Sequence, residues 1–298
     1  MATSVQVKVK DQIHKFLHKC GYDVRKYYDA FQDTGREYED PKGALPHFTL
    51  QKVPPTPWSG NNTRFIINNG TSIHEEVIYY SHLTLLKMCK HYDFHSVVDI
   101  GSHEGRCTRV FRHLGKEVTT VEIAPGDEYE ADYRQDYLKC TFGRQFDAIW
   151  CSQIYEHQRN PGLFLDKIFD DLKDGGILAL TVPLQLDHYV LFGHLNITSP
   201  LMLIYHLVCA GFDCREIALR CYNGSIGVIL KKKYNGITRH LPNGVLPLLP
   251  TTPKHVVELL GDEIFHGMIE SFPQELVKEV HTNLLKSRIV SLNWDNPI

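Results

Sequence analysis

Several patterns are missing from this sequence, and each absence excludes a class of protein. The eight cysteines include no C-x-x-C pair, so we expect free, partly buried thiols rather than a disulfide framework or a zinc site. No apolar run approaches the roughly 18 residues of a membrane span, and no apolar signal segment occurs at the start, so a cytoplasmic protein is expected. The net charge is −3 without a long basic block, which gives no support for nucleic acid as a partner.

The glycine pattern of a dinucleotide-binding loop is also incomplete. An apolar, β-branched run over Ser96–Ile100 leads to Gly101 and Gly105, and an amphipathic helical pattern follows. This order predicts a strand, a tight loop and a helix at the carboxyl end of a parallel strand. The middle glycine of G-x-G-x-x-G is replaced by His103, and its last by Arg106. No pyrophosphate is therefore expected against this loop, and a nicotinamide oxidoreductase is disfavoured.

A second acidic strand end follows about twenty residues later. A strand is predicted over 117–123, and it carries Glu122 near its end. A carboxylate at that place can bind both hydroxyls of the ribose of an adenosine ligand. The two strand ends together predict a nucleoside-binding crevice.

Strands and helices alternate from residue 96 onward. After the two strands above, the apolar pattern predicts a third strand or its remnant near 133–136 and a fourth strand near 146–151. A helix near 160–172 and a buried strand near 177–183 follow. The series ends with a helix near 199–210 and a hairpin near 215–230. A parallel series that closes in a hairpin is an α/β topology with an antiparallel last strand.

The two flanks differ from this central part. A polar, mostly helical start leads into a segment at 40–70 that is rich in proline and asparagine, and we interpret this segment as an irregular loop or lid. The capping box Ser72–Glu75 predicts a helix that runs to about Tyr92. The tail has two helical patterns. We therefore predict three parts: an N-terminal extension over 1–71, a central domain over 72–233 and a helical C-terminal extension over 234–298.

Six short motifs in the central part carry a resemblance to a known family. In chain order they are Asp99–Gly105, Glu122, Gln135–Tyr137, Phe146–Trp150, Tyr155–His157 and Leu172–Gly176. Their order and spacing resemble those of class I S-adenosylmethionine-dependent methyltransferases over roughly 72–233. The resemblance implies a Rossmann-like, mostly parallel seven-stranded sheet with an antiparallel last strand, flanked by helices. His103 departs from the family's usual glycine and resembles loops of the Gly-Ser-Asn-Asp-Gly kind in the same superfamily.

The same resemblance implies S-adenosyl-L-methionine as the cofactor and a role for each loop residue. Asp99 would hold the cofactor ammonium, and Glu122 would bind the ribose hydroxyls. The remaining expected cofactor contacts are Gly101, Ser102, His103 and Gly105 at the methionine end, with Asp136 and Tyr137 at the adenine.

Three histidines near the predicted carboxyl edge are candidates for a catalytic base. An imidazole titrates near neutral pH and suits the deprotonation of a hydroxyl. His157 follows the fourth strand, and His188 and His194 lie in the loop after the fifth. No metal site is predicted, because no clear cluster of acids occurs with them.

The polar loop after the fifth strand favours O-methylation of a hydroxylated acceptor. A general similarity to methyltransferases of surface-polysaccharide biosynthesis implies a sugar or glycan as that acceptor. Two alternatives stay open: methylation of a natural product or lipid-like small molecule, and a cofactor-binding module without catalysis.

Overall fold

The structure is a computed structural model. It describes residues 47–53, 62–68, 72–124, 131–184, 193–222, 224–236, 270–274, 276 and 291–294, which all belong to one unit, Glu37–Ile298. The predicted base His188 lies outside the described residues, as do the N-terminal 46 residues and most of the predicted helical tail.

Ten strands and four α-helices form the described part. The strands are β1 His47–Val53, β2 Asn62–Asn68, β3 Ile73–Tyr79, β4 Ser96–Ile100, β5 Glu117–Val121, β6 Phe146–Ser152, β7 Leu172–Pro183, β8 Ala218–Tyr222, β9 Ser225–Lys231 and β10 Ser291–Leu292. The helices are α1 His82–His91, α2 Arg106–His113, α3 Pro161–Asp171 and α4 Pro200–Cys209, and two 3-10 turns cover Tyr137–Lys139 and Tyr155–His157.

Seven of these strands form the main sheet, in the order β10-β8-β9-β7-β6-β4-β5. The strands β5, β4, β6 and β7 are mutually parallel, whereas β9 runs antiparallel to both β7 and β8. The carboxyl ends of the four parallel strands therefore meet at one edge, where α/β proteins of this kind bind ligands. The predicted class, mostly parallel with an antiparallel last strand, is confirmed.

A further strand is reduced to one bridge beside β5. Tyr133 pairs in parallel with Val121, and its N–H donates to the Thr120 carbonyl at 3.0 Å. The sequence prediction of a third strand or its remnant near 133–136 is confirmed as a remnant. The seventh strand of the sheet is instead β10, at the opposite edge.

Helix α1 packs closely on the strands of the hairpin. Its Thr84 side chain is hydrogen-bonded to the Tyr222 hydroxyl at 2.7 Å. A Cβ on Gly227 would lie 2.1 Å from Thr84 Oγ1, so a glycine is required for this approach. At the edge strand, Lys87 of α1 donates to the Trp294 carbonyl at 2.6 Å, and the Trp294 ring belongs to the core.

Two local predictions for the region before β4 are wrong. The helix expected from Ser72 begins only at His82, and β3 precedes it. The Ser72 hydroxyl is hydrogen-bonded to the His74 ring at 2.8 Å and caps no helix. The reason is pairing: β3 joins β2 over its whole length, and β2 joins β1. Strands β1 and β2 also lie within the segment 40–70 that was expected to be an irregular lid, and Phe65 of β2 is fully buried.

The remaining expectations for local structure can be compared directly. The helices expected near 107–114, 160–172 and 199–210 and the strands expected near 96–100, 146–151 and 177–183 are confirmed, with bounds shifted by a few residues. The cysteines of the described residues are free thiols, as expected. No helix among the described residues is long and apolar enough to cross a membrane.

Candidate active site

The loop after β4 has the strained backbone that its glycines predict. Gly101 and Gly105 both have φ of +73°, and His103 has φ of +48°. Backbone N–H groups of Gly101 and Ser102 donate to the Val121 carbonyl at 2.8 and 3.2 Å, which ties the loop to the end of β5. Left-handed φ values disfavour side chains with a Cβ. Gly101 and Gly105 are therefore favoured at these two positions of the loop.

Gly101 is also required by a close neighbour. A Cβ at this position would lie 2.1 Å from Cδ1 of Ile154, which is two residues after the end of β6 and directly precedes the turn Tyr155–His157. The residues after β6 thus lie directly beside the glycine loop. Sequence reasoning missed Ile154, because an apolar residue after a strand carries no signal of such a contact.

Ser102 and Asp99 present buried polar groups near this loop. Ser102 Oγ is buried and has no hydrogen-bond partner among the described residues. The Asp99 carboxyl is 2% exposed and accepts a hydrogen bond from Thr108 Oγ1 at 2.5 Å. Burial raises the pKa of Asp99 to about 7. The hydrogen bond from Thr108 acts in the opposite direction and lowers the pKa, but its effect is smaller. A ligand with a cationic group and polar oxygens would satisfy both residues.

Glu122 joins the loops that follow β4 and β5. Its Oε2 accepts from the His103 N–H at 2.8 Å, and its Oε1 accepts from the Ala124 N–H at 3.1 Å. A carboxylate oxygen has two lone pairs, so each oxygen can still accept a ligand hydroxyl. The geometry fits the ribose role that the sequence indicates.

Asp136 and Tyr137 occupy different environments. Asp136 is half-buried, and its Oδ1 accepts from the Leu138 N–H at 3.0 Å, which begins the 3-10 turn. The Tyr137 ring is 5% exposed and packs edge-on against Phe164, and its hydroxyl donates to Asp171 at 2.6 Å. The structure therefore places Tyr137 in the core and leaves it no open face for an adenine, in contrast to the expectation.

Glu156, His157 and His194 come together at the carboxyl edge, beside the loop of Gly101. One possible metal-ligating atom from each lies within 4.8 Å of the others, among the described residues. The His157 and His194 rings stand perpendicular with centroids 4.8 Å apart. We refer to these three residues as the Glu-His-His cluster. The sequence motif Tyr155–His157 contained Glu156, but nothing in the sequence indicated that its carboxyl would be buried among histidines.

The backbone fixes the Glu-His-His cluster. The N–H groups of Leu195 and Asn196 donate to the Glu156 carbonyl at 2.7 and 3.0 Å, so the loop after β7 is held against the turn after β6. The His157 Nδ1 lies 2.8 Å from the Gly193 carbonyl oxygen. Both predicted bases that the structure describes thus lie in one place.

The carboxyl of Glu156, the only acid of the Glu-His-His cluster, has an unusually high pKa. Glu156 is 2% exposed, and burial raises its pKa to about 7. Its Oε1 lies 3.8 Å from His157 Nε2, whereas its Oε2 has no hydrogen-bond partner among the described residues. Burial and the neighbouring His157 lower the pKa of His194. The sequence, in contrast, predicts no metal site, because the three residues form a cluster only through the fold.

The strand order and the loops at its carboxyl edge define a Rossmann-like methyltransferase fold. Residues 64–210 match a family model described as a methyltransferase domain. Residues 64–210 therefore form an S-adenosylmethionine-dependent methyltransferase domain, and S-adenosylmethionine is its cofactor.

Solved structures with a similar fold include three methyltransferases. The 1,6-didemethyltoxoflavin-N1-methyltransferase of Burkholderia thailandensis is 17% identical, with 51% of this chain and 77% of that chain covered and a TM-score of 0.42. An S-adenosylmethionine-dependent methyltransferase of Archaeoglobus fulgidus is 16% identical, with 51% and 94% covered and a TM-score of 0.41. The N-methyltransferase NodS of Bradyrhizobium japonicum is 15% identical, with 51% and 85% covered and a TM-score of 0.42. No curated protein matches this chain in sequence.

Proposed function

We propose that this enzyme methylates a hydroxyl oxygen of a polar acceptor, such as a sugar or glycan, and that His157 takes up the hydroxyl proton. The supporting observation is the contact between His157 Nδ1 and the Gly193 carbonyl. A carbonyl oxygen can only accept a hydrogen bond, so neutral His157 carries its proton on Nδ1 and keeps a lone pair on Nε2. The side chain is 45% exposed, so an acceptor can reach that atom.

The cofactor site would follow the loops after β4 and β5. Ser102 Oγ and the Asp99 carboxyl suit the amino-carboxylate of the methionine portion, and the two oxygens of Glu122 suit the two ribose hydroxyls. The second carboxylate oxygen of Asp136 suits the adenine amine. His103 borders the methionine end in this arrangement. Bound S-adenosylmethionine supplies a methyl group activated by the adjacent sulfonium.

The residues of the chain align and deprotonate the acceptor. The hydroxyl oxygen forms a bond to the methyl carbon while the carbon–sulfur bond breaks, and that electron pair remains on sulfur. The proton passes to His157 Nε2 and then to water. A buried Glu156 beside the ring stabilises the imidazolium when its own carboxyl is ionised. His194 and Asn196 provide further polar groups for a hydroxylated acceptor.

A second class of acceptor is favoured by apolar side chains that follow His194. Leu195, Ile197 and Met202 are 64%, 44% and 45% exposed, which is unusual for large apolar residues so close in sequence. They would suit an acceptor with an apolar portion, such as a lipid-like molecule or a natural product. A lipid-linked sugar would satisfy both the polar and the apolar groups.

The test is production of S-adenosylhomocysteine in a screen of free sugars, lipid-linked sugars and apolar hydroxylated compounds. In the variant His157→Asn the amide can still donate to the Gly193 carbonyl, but the Nε2 base is lost. We expect turnover to fall by about 10²- to 10⁴-fold, with unchanged cofactor affinity. The matched control is His95→Asn, at an exposed position before β4, which should turn over like the wild type. Unchanged turnover in His157→Asn would remove the base from the mechanism.

The acceptor class is tested separately with Leu195→Ser. If the acceptor carries an apolar portion, KM for a lipid-linked sugar should rise several-fold while KM for the free sugar stays constant. Equal KM values for both substrates in this variant would exclude contact between Leu195 and the acceptor.

A further inference from the structure

Glu156 carries a buried oxygen that the described part of the chain leaves without a partner. The residue is only 2% exposed, and its Oε2 is inaccessible to water. This atom nevertheless makes no hydrogen bond among the described residues. An unpaired buried carboxyl oxygen destabilises the folded protein, because it loses its hydrogen bonds to water and gains none in return. The other oxygen of the same carboxyl, Oε1, lies 3.8 Å from His157 Nε2, so a cationic group bound between the carboxyl and the imidazoles would complete the site.

The orientation of His157 is that of a metal ligand. Histidines that bind metals usually donate their other ring N–H to a backbone carbonyl or a carboxylate, which fixes the ring and its tautomer. His157 does this through Nδ1, which lies 2.8 Å from the Gly193 carbonyl oxygen, and Nε2 points toward Glu156 at 3.8 Å. The hydrogen bond from His157 Nδ1 to the Gly193 carbonyl, which would orient the ring as a ligand, therefore already exists in the protein.

The distances within the Glu-His-His cluster are also short enough for a shared ion. One nitrogen from each histidine and one carboxylate oxygen lie within 4.8 Å of one another. Three ligands bonded to one ion at about 2.0–2.2 Å lie about 3.3–3.8 Å from one another, so the side chains need to approach by about 1 Å. Two histidines and one carboxylate are a donor set for divalent zinc, cobalt, manganese or iron.

We propose that Glu156, His157 and His194 bind one divalent transition-metal ion. Three protein ligands leave coordination positions open, as in catalytic zinc sites. The N–H groups of Leu195 and Asn196 donate to the Glu156 carbonyl. These two hydrogen bonds join the loop after β7 to the turn after β6 and so hold the three ligands near one another.

The role of the ion, unlike its binding, rests on the proposed function. An acceptor hydroxyl that coordinates to the ion loses its proton more readily, and that proton then passes to solvent water. His157 Nε2 cannot bind the ion and take up the proton at once. The ion-free protein therefore uses the imidazole base, whereas the ion-loaded protein uses coordination.

The experiment is a titration of chelator-treated full-length protein with Zn²⁺ by calorimetry and with Co²⁺ by visible absorption. We expect one ion per chain in the wild type. In Glu156→Gln, a substitution of equal size, and in His194→Ala, the dissociation constant should rise at least about 100-fold. His95→Ala is the matched control, because it removes an exposed imidazole outside the cluster, and it should bind like the wild type. Unchanged cofactor affinity in each variant reports that it is folded.

Absence of binding to the wild type would overturn the proposal, and so would Glu156→Gln binding like the wild type. The site and the proposed function fail in different ways. If the ion binds but no hydroxylated acceptor is methylated, the proposed function is wrong and the metal site stands. If the chelator-treated protein methylates a hydroxyl and binds no ion, the metal site is wrong and the proposed function stands.

Discussion

At the scale of single residues, Glu122 does two things with one carboxylate. It joins the loop after β4 to the residues after β5 through hydrogen bonds from His103 and Ala124. In the cofactor site that we propose, the same two oxygens bind the ribose hydroxyls. The loop geometry and the proposed ribose contact then depend on one side chain.

Replacement of Glu122 tests the ribose assignment. In Glu122→Ala we expect the dissociation constant for S-adenosylmethionine to rise about ten- to a hundredfold, because a charge-assisted contact of about 1.5–3 kcal/mol is lost. Calorimetric titration measures it. The control is Glu117→Ala, at the start of β5, where the carboxylate pairs with Arg144 on the surface. Equal affinity of wild type and Glu122→Ala would show that another group binds the ribose.

At the scale of secondary-structure elements, Asp147 links two central strands by side-chain contacts as well as by backbone pairing. Its Oδ2 in β6 accepts from both the N–H and the hydroxyl of Ser96 in β4, each at 2.8 Å. Its Oδ1 accepts from Lys173 at 2.7 Å. The Lys173 hydrogen bond, assisted by the contacts from Ser96, holds the pKa of Asp147 well below its usual range.

The Asp147 contacts predict a pH-dependent contribution to stability. An aspartate in the unfolded chain titrates near 3.8, and the folded carboxyl titrates lower, so its contribution is complete above about pH 4 and declines as the pH falls further. Asp147→Asn should lower the free energy of unfolding by about 1–3 kcal/mol at pH 7 and by clearly less at pH 3. Urea denaturation at both pH values measures this. Asp93→Asn, at an exposed position, is the control, and an equal loss at both pH values would contradict the assignment.

At the scale of the whole molecule, the sequence predicts the central α/β series well, because each of its elements carries its own signal. The apolar runs of β4, β6 and β7 are each buried on both faces, and the helices between them have apolar residues at helical spacing. Only the bridge residue Tyr133 remains of the third strand. The polar sequence at this place is consistent with the prediction of a strand or its remnant. Local patterns thus define the part of the fold that is built from neighbours in sequence.

The elements that were missed depend on partners distant in sequence or on single contacts. Strand β3 looked helical because Ser72–Glu75 has the letters of a capping box, and only its pairing with β2 determines its conformation. Strand β10 consists of two residues and pairs with β8, so no periodicity can predict it. In the site, the sequence predicts His157 as a candidate base from its place after β6. The sequence does not predict the burial of Glu156, because that burial depends on how the loop after β7 folds back.

Trp294 tests whether the C-terminal residues belong to the main sheet. Its ring is 5% exposed in the core, and its carbonyl accepts a hydrogen bond from Lys87. Trp294→Ala should lower the free energy of unfolding by about 3–5 kcal/mol, the usual loss when a large buried aromatic is truncated. The control is Leu163→Ala, where the side chain is 58% exposed and the change should stay within about 0.5 kcal/mol. A loss below about 1 kcal/mol in Trp294→Ala would show that the sheet is complete without this residue.

The position of β10 has a consequence for synthesis on the ribosome. Its partner β8 ends at Tyr222, and β10 begins at Ser291, about seventy residues later. At roughly 5–20 residues per second, translation needs several seconds to produce that interval. During this time the nascent chain presents the free backbone groups of β8, which can pair with another chain. Chaperone binding to nascent chains during this interval would therefore protect the yield of folded enzyme.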